Sequence, residues 1–326
     1  MPERSERPSR GRRCGAGRSV PWAPVVDLTP PRIEMSVDIG DGRRLGVAEY
    51  GPASGRPVLW FHGTPGGRRQ IPESLRSRLP GDDIRLIVVE RPGYGASTPH
   101  AYPNVVAVTD DVGALLDALA VDRFAVAGLS GGGPYALACG YAFPDQVVAV
   151  SILGGVTPHV GPDASPGGLV RLLAPLGPVT GPLARPVGAI FQGLVVVLAP
   201  LLGTTAIDLT ARLFPEGDRL VFAEPENKLM FLDDIVRTVR GGLPGPALDL
   251  RVFLRDWGFR LGDVRVPVHF WQGDADPIVT IDQARRMADQ IPDATFVLRP
   301  EESHLGGFAA AHEAVARAMA HWEELE

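Results

Sequence analysis

Short apolar runs alternate with amphipathic stretches along most of this chain. Between the runs, residues 105–119 place apolar side chains at helical spacing, and residues 134–143 form an alanine-rich stretch. Continuous apolar strands that alternate with helices are typical of a parallel sheet covered on both faces. We therefore predict strands at residues 58–61, 84–89, 124–129, 147–153, 266–271 and 296–298.

An antiparallel hairpin is predicted before the first of these runs. Residues 33–39 and 44–50 alternate in character and flank Gly40-Asp41-Gly42. Asp-Gly between two such runs favours a tight hairpin turn. A hairpin of this kind often forms the edge of a mostly parallel sheet. At the other end of the chain, residues 281–291 and 308–325 predict the closing helices.

The rhythm changes over residues 157–260, which contain many Pro and Gly residues, several helix-like stretches and few strand signals. The sequence thus predicts a helical cap or lid insertion at 157–260, between core segments 32–156 and 261–326. Residues 187–202 are its most apolar stretch, shorter than the roughly 20 residues of a membrane span. They predict a buried lid helix or an apolar wall, with shallow contact to lipid as the alternative.

Composition narrows the class of protein. The 326 residues are 45% hydrophobic and 21% charged with net charge −6, which fits a large α/β domain and argues against nucleic-acid binding. Residues 1–31 hold six arginines among Pro, Ser and Gly, and predict a disordered basic tail. An interaction arm, a targeting segment or an over-long start are the alternatives. Cys14 and Cys139 show no metal or disulfide spacing, and a cytoplasmic location is expected.

A candidate nucleophile lies in the turn Gly128-Leu129-Ser130-Gly131-Gly132. Gly-x-Ser-x-Gly alone is a modest signal, but this match follows a predicted strand and precedes a helix that opens with Pro134. Strand, sharp turn and helix form the nucleophile elbow, in which the serine is strained and exposed. Gly128 and Gly132 then leave room where side chains would collide.

The serine needs a base and an orienting acid further along the chain. Among seven histidines, His304 stands in a glycine-flanked loop before the last helix, whereas His269 lies in an apolar strand and predicts a core residue. Two acids compete after the strand at 266–271. Asp276 is preferred as the acid, and Asp274 is interpreted as a turn-capping residue.

Five motifs occur in order: His62-Gly63-Thr64-Pro65, Glu90 to Ser97, the elbow, Gly273 to Asp276, and Ser303-His304. Together they resemble the serine α/β-hydrolase superfamily over residues 33–326. The resemblance implies an oxyanion hole formed by the amides of Thr64 and Gly131, with His62 structuring the loop. Arg91 and Tyr94 are interpreted as turn residues. Epoxide hydrolases and haloalkane dehalogenases of this superfamily attack with an aspartate, whereas position 130 is a serine. An alkyl-enzyme ester is therefore not expected.

The resemblance implies Ser-His-Asp catalysis by Ser130, His304 and Asp276, most simply on carboxylic esters. C–C or amide cleavage by the same residues, and a small-molecule binding protein, are the alternatives. No metal or cofactor is expected, the partner is an ester-like small molecule, and membrane contact is not expected. An apolar acyl or alcohol pocket, or plain lid packing, is indicated by Leu169, Leu172, Leu173, Leu176, Phe191, Leu194, Leu198 and Leu201.

Overall fold

The structure is a computed structural model, and it describes residues 28–176, 203–212, 215–239 and 244–323. An eight-stranded sheet in the order β1-β2-β4-β3-β5-β6-β7-β8 forms its centre. β2 pairs antiparallel with β1 and with β4, and the remaining strand pairs are parallel. The strands are β1 Ile33–Asp38, β2 Arg44–Tyr50, β3 Arg56–Phe61, β4 Ile84–Val89, β5 Phe124–Leu129, β6 Val147–Leu153, β7 Val268–Gly273 and β8 Ala294–Arg299.

This sheet confirms the predicted α/β fold class and its edge hairpin, and each predicted apolar run overlaps a strand. The predicted run at 266–271 lies two residues early, since β7 begins at Val268 and ends at Gly273. Successive residues on a strand point to opposite faces of the sheet. On β3, Leu59 belongs to the buried cluster on one face and Trp60 to the cluster on the other. The helices that cover the two faces or follow β6 are α1 Glu73–Arg76, α2 Val108–Leu119, α3 Gly133–Ala142, α4 Gly168–Leu173, α5 Thr204–Ala211, α6 Glu216–Ala223, α7 Pro225–Thr238, α8 Gly245–Phe253, α9 Ile281–Ala288, α10 Gly306–Ala309 and α11 Ala311–Glu323.

The closing helices differ in detail from the prediction. α9 ends three residues early, at Ala288, and residues predicted as one last helix form α10 and α11. Ala310 separates the two, with φ −81° and ψ 4°, outside helical geometry. The short α10 lets the chain turn from the loop after β8 onto the sheet, where Phe308 is fully buried.

Between β6 and β7, the described residues contain helices and no strand, as expected of the predicted cap; its bounds at 157–260 stay a prediction. No helix in the described ranges is long and apolar enough to cross a membrane. Residues 187–202 lie outside those ranges, as do Cys14 and most of the basic tail. Of the eight apolar residues proposed to line a pocket, the side chains of Leu169 and Leu172 are described, and both are exposed.

Candidate active site

Ser130 stands in a strained turn between β5 and α3. Its φ is +50°, a left-handed value that L-residues rarely adopt, and residues 130–132 form one turn of 3₁₀ helix. A Cβ on Gly128 would lie 2.5 Å from the carbonyl oxygen of Gly132, and one on Gly132 would lie 2.2 Å from that of Phe61. Both glycines are therefore required by close backbone approach, and the turn pushes the Ser130 hydroxyl out of the sheet.

Ser130, His304 and Asp276 come together across long sequence separations. His304 Nε2 lies 2.8 Å from Ser130 Oγ, and His304 Nδ1 lies 2.8 Å from Asp276 Oδ2. With Nδ1 donating to the carboxylate, Nε2 is free to accept the serine proton. The three side chains follow β5, β7 and β8, whose carboxyl ends share one edge of the sheet, where open α/β sheets place their ligands.

Asp276 is held by further donors besides the histidine. Its Oδ1 accepts the backbone N–H groups of Ile278, at 2.8 Å, and Val279, at 3.0 Å, while Gln272 Nε2 donates to Oδ2 at 2.9 Å. These bonds fix the plane of the carboxylate toward His304. Asp274 instead accepts the Glu301 N–H at 2.8 Å and so ties the loop after β7 to the loop after β8.

The loop after β3 brings Thr64 against the elbow. A Cβ on Gly131 would lie 2.1 Å from Thr64 Oγ1 and 3.3 Å from Phe253 Cζ, so the two predicted oxyanion residues are adjacent beside an aromatic ring. Gln70 braces this loop from the other side. Its Oε1 accepts the N–H of Gly63 at 2.6 Å, and its Nε2 donates to the carbonyl of Pro65 at 3.1 Å.

A buried polar cluster behind that loop was missed by sequence reasoning. Asp249 on α8 accepts Arg91 Nε at 3.1 Å and Nη2 at 2.7 Å, and also the hydroxyls of Tyr94 and Tyr135. All four residues are at most 2% exposed. The turn predicted around Arg91 and Tyr94 is present, but their side chains reach across to α8. Its neighbours Leu248 and Leu250 do not distinguish Asp249 from a solvent-facing acid on an amphipathic helix, so the sequence holds no local signal for this cluster.

Two more aspartates reach core loops from the segment between β6 and β7. Asp218 on α6 accepts the N–H of Leu305, next to His304, at 2.7 Å, and burial raises the pKa of its carboxyl. Asp234 on α7 accepts the N–H of Arg69 at 2.9 Å, and burial raises its pKa to about 7. Together with Asp249, three successive helices each bury one carboxylate against a loop of the core.

The family of this chain follows from comparison with known proteins. A model of the alpha/beta hydrolase family matches residues 58–318, and the chain belongs to that family. The match runs from β3 into α11 and includes the elbow, the acid loop and the histidine loop. Membership supports an enzyme of the hydrolase superfamily.

Individual relatives match only about a third of the chain, and the similar solved structures have low sequence identity. A proline iminopeptidase of Xylella fastidiosa is 31% identical over 119 residues, which cover 36% of this chain and 37% of that protein. A serine hydrolase-like protein of Danio rerio is 34% identical over 110 residues, 32% of each chain. A bromoperoxidase of Bacillus anthracis (TM-score 0.64, 21% identity, 88% and 100% covered) shares the fold. So does an esterase of Exiguobacterium antarcticum (TM-score 0.63, 18% identity, 89% and 99% covered).

Proposed function

We propose that the protein is a serine hydrolase that cleaves carboxylic esters of small apolar molecules. The observation that carries this proposal is the pair of 2.8 Å contacts that link Ser130 to His304 and His304 to Asp276. A serine hydroxyl is a weak nucleophile, and a histidine within hydrogen-bond reach, itself oriented by an acid, is the arrangement that activates it. The left-handed Ser130 supports the same role, because that strain is a mark of the elbow.

In the proposed reaction, Ser130 Oγ attacks the carbonyl carbon of the ester while its proton passes to His304 Nε2. The carbonyl oxygen becomes an oxyanion, which the N–H groups of Thr64 and Gly131 stabilise. When the C–O bond to the alcohol breaks, the imidazolium returns its proton to the leaving oxygen. Asp276 keeps the imidazole in one tautomer and offsets its transient positive charge.

Water then completes the cycle. His304 accepts a proton from a water molecule while the water oxygen attacks the acyl carbon. Collapse of the second oxyanion then breaks the bond to Ser130 Oγ, which takes the proton back from His304 as the acid leaves. Phe253 supports an apolar preference, since its ring lies beside Gly131. The proposed binding partner is the small ester molecule, and water is the second reactant.

A second candidate is an aminopeptidase that uses the same three residues. Its support is the partial similarity to the proline iminopeptidase of Xylella fastidiosa. Asp218 adds to it, because this buried carboxylate accepts a hydrogen bond from the N–H of Leu305, the residue after His304. An aminopeptidase needs an acid that pairs with the free amine of its substrate. Comparing prolyl p-nitroanilide with p-nitrophenyl butyrate separates the two functions: the ester proposal predicts the larger kcat/KM for the butyrate.

The central test is Ser130→Ala. We expect ester hydrolysis to fall about 10⁴–10⁶-fold, since triad serines contribute that much. Labelling by a fluorophosphonate probe should also disappear, whereas an exposed-serine control, Ser77→Ala, should label and turn over like the parent protein. Unchanged turnover in Ser130→Ala would overturn the proposal. A parent protein that neither hydrolyses esters nor reacts with the probe would favour a binding protein.

A further inference from the structure

The peptide group between Gly63 and Thr64 carries the N–H that the proposed mechanism uses in the oxyanion hole. Its carbonyl oxygen, on Gly63, lies 2.7 Å from His62 Nδ1 and 3.1 Å from Arg91 Nη2. A peptide carbonyl that accepts strong hydrogen bonds makes the N–H of the same group a better donor, because the amide is conjugated and polarises as a unit. The N–H of the Gly63–Thr64 peptide is therefore a strengthened hydrogen-bond donor.

The proton on His62 can be placed from its neighbours. The backbone N–H of Arg91 donates to His62 Nε2 at 3.2 Å, so Nε2 is the acceptor and Nδ1 carries the hydrogen. Burial and the positive charge of Arg91 lower the pKa of His62 well below its usual value, which keeps the ring neutral. His62 Nδ1–H thus donates to the Gly63 carbonyl, and the ring serves as a fixed dipole.

The guanidinium of Arg91 binds the same loop at three points. Besides the Gly63 carbonyl it donates to the carbonyl of His62 and, from Nη2, to Thr64 Oγ1 at 2.8 Å. The Thr64 hydroxyl in turn donates to Asp249 Oδ2 at 2.7 Å. Both ends of the Gly63–Thr64 peptide are therefore held by one buried ion pair.

Asp249 determines where this guanidinium can lie. Arg91 is 1% exposed, and a cation buried to that extent is stable only beside an anion with matching geometry. Two parallel bonds from Nε and Nη2 to the two carboxylate oxygens fix the plane of the guanidinium. Since Asp249 stands on α8, a helix of the segment between β6 and β7 orients a loop of the core.

We propose that the Arg91–Asp249 pair positions and polarises the Gly63–Thr64 peptide, so that α8 completes the oxyanion hole. The proposal rests on the proposed function, since it requires the Thr64 N–H to bind the oxyanion. Arg91 and Asp249 act through the peptide and touch neither the substrate nor Ser130. They are positioning residues, and their effect should fall on the transition state.

The test uses Asp249→Asn and Arg91→Lys in the full chain. Lysine keeps the charge but lacks the planar fork that makes the paired bonds. With p-nitrophenyl butyrate we expect kcat to fall about 10–100-fold, somewhat less than for loss of a whole oxyanion donor, and KM to change by less than about threefold. The Ki of a trifluoromethyl ketone, whose adduct with Ser130 carries an oxyanion, should rise with the fall in kcat/KM.

Asp111→Asn is the matched control. Asp111 is also buried and accepts an arginine and a tyrosine hydroxyl, Arg43 at 2.6 Å and Tyr102 at 2.5 Å, but it lies on α2 away from the loop. A purely structural loss of a buried ion pair should lower Tm in both Asn variants. Of the two Asn variants, Asp249→Asn alone should show the changes in kcat and Ki.

A kcat and a Ki close to the parent values in either folded variant would overturn the proposal, even if Ser130→Ala is inactive. If Ser130→Ala keeps its activity, the proposed function fails and this inference fails with it. Should Asp249→Asn not fold, the double variant Arg91→Met/Asp249→Leu removes both charges, a replacement that buried pairs often tolerate. Parent-like kcat in that variant would equally overturn the proposal.

Discussion

The two sides of the candidate site are built in different ways. On the core side, Ser130, Asp276 and His304 each lie in a loop that directly follows a strand, so the hydrogen-bonded sheet places them. On the other side, Asp218, Asp234 and Asp249 lie on the successive helices α6, α7 and α8, and each accepts hydrogen bonds from core residues.

The difference shows how the helical segment between β6 and β7 can be held against the edge of the sheet that carries the candidate site. A buried carboxylate is costly unless it is paired or well hydrogen-bonded, so each aspartate favours one position of its helix on the core. The residues proposed to react are positioned by chain continuity with the sheet. Those proposed to tune them are positioned by polar contacts, which single substitutions can remove without dismantling the sheet.

The largest effect that separates the two sides is expected at the core acid. Asp276→Asn should lower kcat about 10⁴-fold, because the amide no longer fixes the productive histidine tautomer. Measuring kcat for p-nitrophenyl butyrate against pH would show the loss across the whole range.

Asp274→Asn is the control for that change. Asp274 lies two residues away in the same loop, and the Asn oxygen can still accept the Glu301 N–H, so activity should stay within about threefold of the parent. Equal losses in the two variants would contradict the assignment of Asp276 as the acid. A large loss confined to Asp274→Asn would move the acid to that position.

Most of the sheet could be predicted from the sequence because its strands are buried on both faces. A strand such as β5 or β6 then consists almost wholly of apolar residues, and its bounds are visible as a run. His304 and Asp276 could be singled out for a related reason. Each follows a strand in an order that the fold fixes, so chain position substitutes for distance.

The insertion-side residues carry no such signal. Asp249 is 158 positions from Arg91 along the chain, and nothing local distinguishes it from a solvent-facing helix acid. The role of Arg91 could not be predicted for a further reason. Its turn is recognisable in the sequence, but the direction of its long side chain depends on the residues that pack against it. Tertiary contacts of this kind follow from the assembled structure and not from periodicity.

An intermediate effect is expected where the insertion side meets the histidine loop. Asp218→Leu deprives the Leu305 N–H of its acceptor and should let the His304 loop shift, which lowers kcat about tenfold. Asp218→Asn keeps an acceptor oxygen and should lose much less. Asp208→Leu, an exposed acid on α5 paired with Lys228, is the matched control. Parent-like kcat in Asp218→Leu would mean that α6 does not position the histidine.

The smallest effect on catalysis is expected at the loop that follows β3, where the prediction concerns stability instead of kcat. Burial, reinforced by the nearby charges of Glu90 and Asp233, raises the pKa of Asp234 from 3.8 to about 7. Because the folded pKa is the higher one, this carboxyl costs no stability below pH 3.8. Its cost grows as the pH rises from 3.8 to about 7 and is constant above that.

Asp234→Asn keeps an oxygen for the Arg69 N–H and removes the titrating charge. Its free energy of unfolding should therefore gain on the parent protein between pH 4 and 7, by up to ~1.4 kcal/mol per pH unit, and the gain should level off by pH 8. Urea unfolding at several pH values measures the difference. Asp233→Asn is the control, since that side chain is 29% exposed and pairs with Arg69 and Arg237. A pH-independent difference for Asp234→Asn would mean that its carboxylate is ionised and satisfied at this contact, and that α7 binds the core through charge.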